Sequence, residues 1–201
     1  MNISVFNPTH FSTTNWSGGS TTQLYISPAN ASYAERNFDF RISSAKVEVP
    51  ESTFTALPGV NRKLMVLEGE ITLNHSLSRL FIGKNQHSKT LQKFEVDTFN
   101  GDWKTTAIGT CTDFNLMTRG GLLSDLSSLQ VATNHTIHLK VEEHWKTLLL
   151  FVLKGSISIE INNKLHLLKK DNLMVLNNLN KFSFPLYANK HSEVIVSKIG
   201  K

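Results

Sequence analysis

Along this chain apolar residues alternate with polar ones, or run briefly between turn residues, and seldom recur at helical spacing over a dozen positions. That period predicts strands almost throughout. The clearest lie at residues 23–26, 38–46, 62–67, 111–117, 136–142, 148–153 and 193–199. Gly18-Gly19, Pro58-Gly59, Gly83, Gly101 and Gly120-Gly121 punctuate them as turn residues. Only residues 122–129, rich in leucine, suggest a short helix, and there two halves of the chain would join.

A near-repeat sharpens the division. Leu64-Met65-Val66-Leu67-Glu68-Gly69-Glu70-Ile71-Thr72-Leu73 aligns without gaps on Leu150-Phe151-Val152-Leu153-Lys154-Gly155-Ser156-Ile157-Ser158-Ile159, 86 residues further on. Each copy is an apolar strand, a glycine where the backbone must turn, and an alternating strand. Two such units imply two similar β-lobes, residues 1–121 and 122–201, in one compact chain whose lobes could exchange strands.

The chain has 201 residues, 40% of them hydrophobic, enough for a substantial core. The N-terminus lacks a basic region followed by an apolar stretch. No segment approaches the roughly 20 apolar residues that cross a bilayer. These features predict a soluble, cytoplasmic protein without membrane partners. The single cysteine, Cys111, excludes an internal disulfide and is expected to be a small core residue. The net charge is +5, but its 21 Lys and Arg are scattered, with no run longer than Lys169-Lys170, so nucleic-acid binding is not expected. None of the eight histidines forms a His-x-His or His-x-x-x-His pair.

The phrase Val66-Leu67-Glu68-Gly69-Glu70 resembles the strand-turn-strand phrase of cupins. Five ordered segments are more specific: Trp16-Ser17-Gly18-Gly19-Ser20-Thr21; Phe40-Arg41-Ile42-Ser43; Phe54 with Leu57-Pro58-Gly59-Val60-Asn61-Arg62; Phe99-Asn100-Gly101-Asp102; and Asp113-Phe114-Asn115-Leu116-Met117-Thr118-Arg119. Together they resemble the signature segments of the HutD/Ves family. That resemblance implies an all-β bicupin of two fused cupin-like antiparallel β-barrel or jelly-roll lobes. It also implies an uncharacterised or non-catalytic role linked in some members to control of histidine breakdown, and a formylated or formimino amino acid as ligand. Two positions depart from the family pattern. Trp16-Ser17 runs directly into Gly18-Gly19 without the usual Asn, and Gln23 stands where a Glu is usual.

Metal-using cupins place a glutamate ligand four residues before the valine of that phrase, and here the position is Arg62. The corresponding histidine positions fall near Thr55 and Leu57, and residues 94–103 hold no second-motif histidine. A guanidinium in place of a carboxylate ligand repels cations and attracts carboxylates, so neither metal nor cofactor is expected. Strand alternation puts Arg41 and Ser43 on one face, opposite Phe40 and Ile42, and puts Asp113, Asn115 and Met117 opposite Phe114 and Leu116. If the greasy faces pack against a covering sheet, Arg41, Ser43, Arg62, Asp113 and Asn115 line one cavity. Arg119 would then stand at its rim, with Trp16 and Thr21 contributed by the glycine loop. The position equivalent to Arg62 in the second lobe is Leu148, so that lobe is expected to pack or to form a homodimer.

Three functions compete. A non-catalytic module would bind or sense a small anionic metabolite through Arg41 and Arg62, and this reading is favoured. A metal-independent isomerase or hydrolase would use Asp113 as base and Arg62 as electrostatic stabiliser. In a structural bicupin the polar residues would only brace the interior.

Overall fold

The computed structural model describes residues 1–76 and 86–201; Gly83, among the expected turn residues, lies outside them. Strand β1 (Asn2–Phe6) opens the chain and a 3-10 turn, Pro8–His10, follows. Next come β2 (Ser12–Trp16), β3 (Gly19–Ser27), β4 (Phe40–Val47), β5 (Glu51–Thr53), β6 (Asn61–Gly69), β7 (Ile71–Ser76), β8 (Gln86–Leu91), β9 (Val96–Asn100), β10 (Lys104–Ile108) and β11 (Cys111–Thr118). The remainder is β12 (Leu123–Val131), β13 (His135–Lys140), β14 (Trp145–Lys154), β15 (Ser156–Ile161), β16 (Lys164–Lys169), β17 (Leu173–Asn177), β18 (Ser183–Ala188) and β19 (Ser192–Gly200).

These strands form two compact units, Phe11–Gly121 and Met1–His10 with Leu122–Lys201. The first has a six-stranded sheet, β2-β3-β4-β11-β6-β9, and a four-stranded sheet, β5-β10-β7-β8. The second has a five-stranded sheet, β1-β17-β14-β19-β12, and a four-stranded sheet, β13-β18-β15-β16. All ladders between these strands are antiparallel. β1 joins the second unit by pairing along β17, Asn2 opposite Asn177 through Phe6 opposite Leu173.

Burial of one face per sheet holds each unit together. In the first, Leu64 and Val66 of β6 pack with Ile71 and Leu73 of β7, Leu91 of β8 and Ala107 of β10. In the second, Leu148, Leu150 and Val152 of β14 pack with Ile157, Ile159 and Ile161 of β15 and with Phe184 and Leu186 of β18. The near-repeat occupies equivalent places, because β6 and β14 belong to the larger sheets while β7 and β15, which follow at once, belong to the smaller ones. Gly69 and Gly155 are the corners between sheets, at φ 82° and 81°. A side chain there would be strained, and its Cβ would strike Thr110 at Gly69 and Ser192 at Gly155.

Two expectations are corrected. The lobes are not closed barrels or jelly rolls: among the described residues, each of the four sheets is open and ends in two edge strands. Alternation and corner glycines specify which way side chains point, whereas closure also needs strand tilt and stagger that let the first strand pair with the last. Here β5 is only three residues long and pairs on one side alone. Residues 122–129 are not helical either. β12 runs through them and pairs with β19 from Leu123 opposite Gly200 to Val131 opposite Ser192. Nine residues of ladder outweigh the local leucine spacing, and Leu126 is buried while Leu129 packs on the second core. No helix among the described residues is long and apolar enough to cross a membrane.

Candidate functional site

Register sets out a polar lattice on the inner face of the six-stranded sheet. Met117 of the central strand β11 lies between Arg41 of β4 and Arg62 of β6. In the next row Asn115 lies between Ser43 and Leu64, and in the next Asp113 lies between Ala45 and Val66. The two arginines are thus two strands apart, about 10 Å at the backbone, close enough for long side chains to converge on a small molecule. A bulge in β3, where Gln23 opposes Ser43 but Tyr25 opposes Ile42, keeps both Gln23 and Ile26 on this face.

Arg41, Ser43, Ala45, Arg62, Asp113, Asn115 and Met117 of this face line a cavity of about 410 Å³ with Thr14, Trp16, Ser17, Thr21, Tyr33, Val47, Thr53, Phe54 and Thr55. Of the residues expected there, Arg41, Ser43, Arg62, Asp113, Asn115, Trp16 and Thr21 line it. Arg119 does not; half-buried just past β11, it donates its backbone N–H to Asp39. The expected sidedness is reversed. The polar face shares the inner side with the core residues Val47, Leu64, Val66 and Cys111, which pack towards the four-stranded sheet. Phe40, Ile42, Phe114 and Leu116 are buried on the opposite face.

Both guanidiniums are buried and held by neutral partners. Arg41 donates from Nε to Gln23 Oε1 at 2.8 Å and from Nη1 to Ser43 Oγ at 2.9 Å, and it lies over the Tyr33 ring at 4.2 Å. Arg62 lies 4.8 Å from the Phe54 ring and 5.0 Å from Phe99, and donates from Nη2 to Asn115 Oδ1 at 3.1 Å. Its Nε is buried and has no hydrogen-bond partner. Among the described residues no carboxylate lies within ion-pairing distance of either arginine. Arg62 reaches Asp113 instead through a relay: Asn115 accepts from Arg62 and donates to Asp113 Oδ1 at 2.5 Å.

Burial displaces all three charges. It pulls Arg41 below its ordinary value, opposed by Tyr33. It takes Arg62 down to about 10, with Tyr33 and Asp113 opposing and Arg41 reinforcing the fall. It raises Asp113 to about 7, against the pull of Arg62, the hydrogen bond from Asn115 and the Ala45 backbone. Near neutrality the wall thus holds two guanidinium cations and an acid that burial biases towards its protonated form. Cys111, next along β11, is buried and its thiol is pushed up to about 12, so it is an unreactive core residue.

Several residues of the site escaped sequence reasoning. Gln23 was noted only as a departure from a family pattern, yet as a neutral amide it leaves the Arg41 charge uncompensated. Phe54 and Phe99 fall in recognised segments, but only the fold reveals that they enclose a guanidinium. Tyr33 gave no signal. Behind Phe99 lies a buried network: the His75 ring is 4.5 Å from that of Phe99, its Nε2 bonds Asp97 Oδ2 at 2.9 Å, and its Nδ1 bonds Thr105 Oγ1 at 2.9 Å.

Among the described residues no group of three or more His, Cys, Asp or Glu side chains could hold a metal ion. Each unit pairs a larger antiparallel sheet with a four-stranded one, and Arg62 stands on the wall of the first unit's cavity, at the position where the cupin resemblance places a metal-binding glutamate. The HutD family model matches residues 9–195, and the chain belongs to that family. A conserved protein of unknown function from Pseudomonas aeruginosa PAO1 is similar in fold, with 20% identity, TM-score 0.81 and both chains covered in full. HutD from Pseudomonas fluorescens SBW25, in a formate condition, matches at 17% identity and TM-score 0.69, again over both whole chains. Vicilin from Solanum melongena, a structure described as revealing different anionic ligands in structurally similar pockets, matches at 9% identity and TM-score 0.67 over 97% of this chain and 84% of its own. No curated protein sequence matches the chain.

Proposed function

We propose that this protein binds or senses a small carboxylate metabolite, with Arg41 and Arg62 as the anion clamp. One observation carries the reading: the Arg62 Nε is buried without an acceptor, in a guanidinium that has no carboxylate within ion-pairing distance among the described residues. A buried cationic donor left so is costly, and an entering carboxylate would supply both the hydrogen bond and the opposite charge. The cavity, about 410 Å³, has the size of a small-molecule pocket and is not filled by side chains. The anionic ligands named for the vicilin and the formate condition of the Pseudomonas fluorescens HutD are in keeping with this chemistry. Formylated and formimino amino acids are the first candidates on the family resemblance, with a regulatory role in histidine utilisation and a cytoplasmic setting.

A thermal-shift series with formate, acetate, glutarate and N-formyl amino acids tests it. A saturable rise in Tm with one class is expected, lost in both Arg62→Ala and Arg41→Ala. No shift of the wild type, or an equal shift in both variants, overturns it.

A further inference from the structure

Asp113 is the acid of the cavity, and its surroundings distinguish it from an ordinary salt-bridge partner. It is 1% exposed and has no cation within ion-pairing distance among the described residues. The Asn115 amide stands between it and Arg62, with the amide oxygen towards the guanidinium and the NH2 towards the carboxyl. Among the described residues its charged and titratable neighbours in the cavity are Arg62 on β6, Arg41 on β4 and Tyr33 in the connection after β3, and Cys111 lies outside the cavity two residues along its own strand. The β5 segment contributes Thr53, Phe54 and Thr55, and β2 with β3 contributes Thr14, Trp16, Ser17 and Thr21, all without charge.

We propose that a carboxylate entering this cavity is bound together with one proton, which Asp113 takes from solvent and donates as an O–H to a ligand oxygen. This deepens, and rests on, the carboxylate-binding reading. In the free protein burial raises Asp113 to about 7, and the Arg62 charge is the first influence holding it from going higher. A bound anion neutralises that field and adds a second negative charge beside the carboxyl, so both changes favour the protonated acid. Two carboxyl groups in one poorly hydrated space share a proton more readily than they both ionise. No covalent bond forms or breaks; the proton moves from buffer to an Asp113 oxygen and returns there on release. The sign follows by linkage. Below the free-state value Asp113 is already protonated and binding takes up little; above it uptake approaches one proton and affinity falls as pH rises, roughly tenfold per unit. A ligand ammonium on Asp113 would do the reverse, favouring the ionised acid and releasing a proton.

Isothermal titration of the full chain with formate and with N-formylglycine, in HEPES and in Tris at matched pH, reads the proton count from the difference in heats. We expect uptake near one at pH about 8.5 and near zero at pH about 6. In Asp113→Asn, which keeps an amide N–H donor but cannot ionise, uptake should vanish and the pH profile flatten. If that variant does not fold, the buffer comparison on the wild type alone decides. Measurable binding without uptake at the higher pH overturns this proposal and leaves the carboxylate reading standing. Proton release also overturns it and assigns a ligand amine to Asp113. Absence of binding by either probe at every pH overturns both.

Discussion

The two units carry the same strand lattice with opposite chemistry at its centre. The β6–β11 pair, with Arg62 opposite Met117, Leu64 opposite Asn115 and Val66 opposite Asp113, corresponds to the β14–β19 pair. There Leu148 opposes Lys198, Leu150 opposes Val196 and Val152 opposes Val194. Arg62 becomes Leu148, Asn115 becomes Val196 and Asp113 becomes Val194. On the next strand, Asp125 of β12 takes the place of Arg41 and pairs with Lys198 at 3.1 Å, so the charges there satisfy each other. The comparison extends along the larger sheets, where Asp97 of β9 corresponds to Met174 of β17, and to the smaller ones, where His75 of β7 corresponds to Ile161 of β15, both counterparts lying in the second apolar core. The second lattice folds with leucine and valine where the first has Arg62, Asn115 and Asp113, so the strand pattern itself does not require those three. That difference is in keeping with the ligand role proposed for them.

The comparison can be broken by moving charge into the unit that lacks it. Leu148→Arg would bury a guanidinium among Leu150, Leu176 and Phe184 without the Phe54, Phe99 and Asn115 that hold Arg62. A loss of about 4 kcal/mol or more in chemical denaturation is expected, up to failure to fold. A tolerated Leu148→Arg would mean that the second unit can host a charge at this point and that the asymmetry is incidental.

The buried His75–Asp97 pair gives the next largest effect. Asp97→Ala leaves His75 Nε2 without its partner at a site 1% exposed, and should cost about 3 kcal/mol in urea unfolding. The double change His75→Ile with Asp97→Met, which imports the residues of the second unit, should recover most of that loss. Equal destabilisation by the double change would show that shape, not an unpaired polar group, governs the position.

The smallest expected effect is on binding. Gln23→Glu puts an anion within 2.8 Å of Arg41 Nε and so answers part of the charge offered to a ligand. Carboxylate affinity in calorimetry should fall about five- to tenfold, roughly 1 kcal/mol, with little change in stability. Unchanged affinity would remove the Arg41 charge from the clamp.

Much of this was legible in the chain. The alternation at 111–117 gave Asp113, Asn115 and Met117 one face, and 38–46 did the same for Arg41 and Ser43, because a strand's side-chain period is local geometry. The repeat located both corner glycines and singled out Leu148 as the counterpart of Arg62. Arg119 follows the end of β11, where strand alternation no longer sets which way a side chain faces, and it is not among the residues that line the cavity. Residues 122–129 were misjudged because leucine spacing cannot register a partner strand some 70 residues away, here β19.

The strands at 38–46, 62–67 and 111–117, the residues that share a face along them and the charge reversal at Arg62 were therefore determined by sequence alone, since each depends on neighbours two residues apart or on a single side chain. Open sheets rather than barrels, the side of the sheet on which the polar face lies, the phenylalanines around Arg62 and the Asn115 relay that keeps it from Asp113 were decided by tertiary structure. They depend on which distant strands meet and in what register, and those pairings are won by the burial of whole faces rather than by any local pattern.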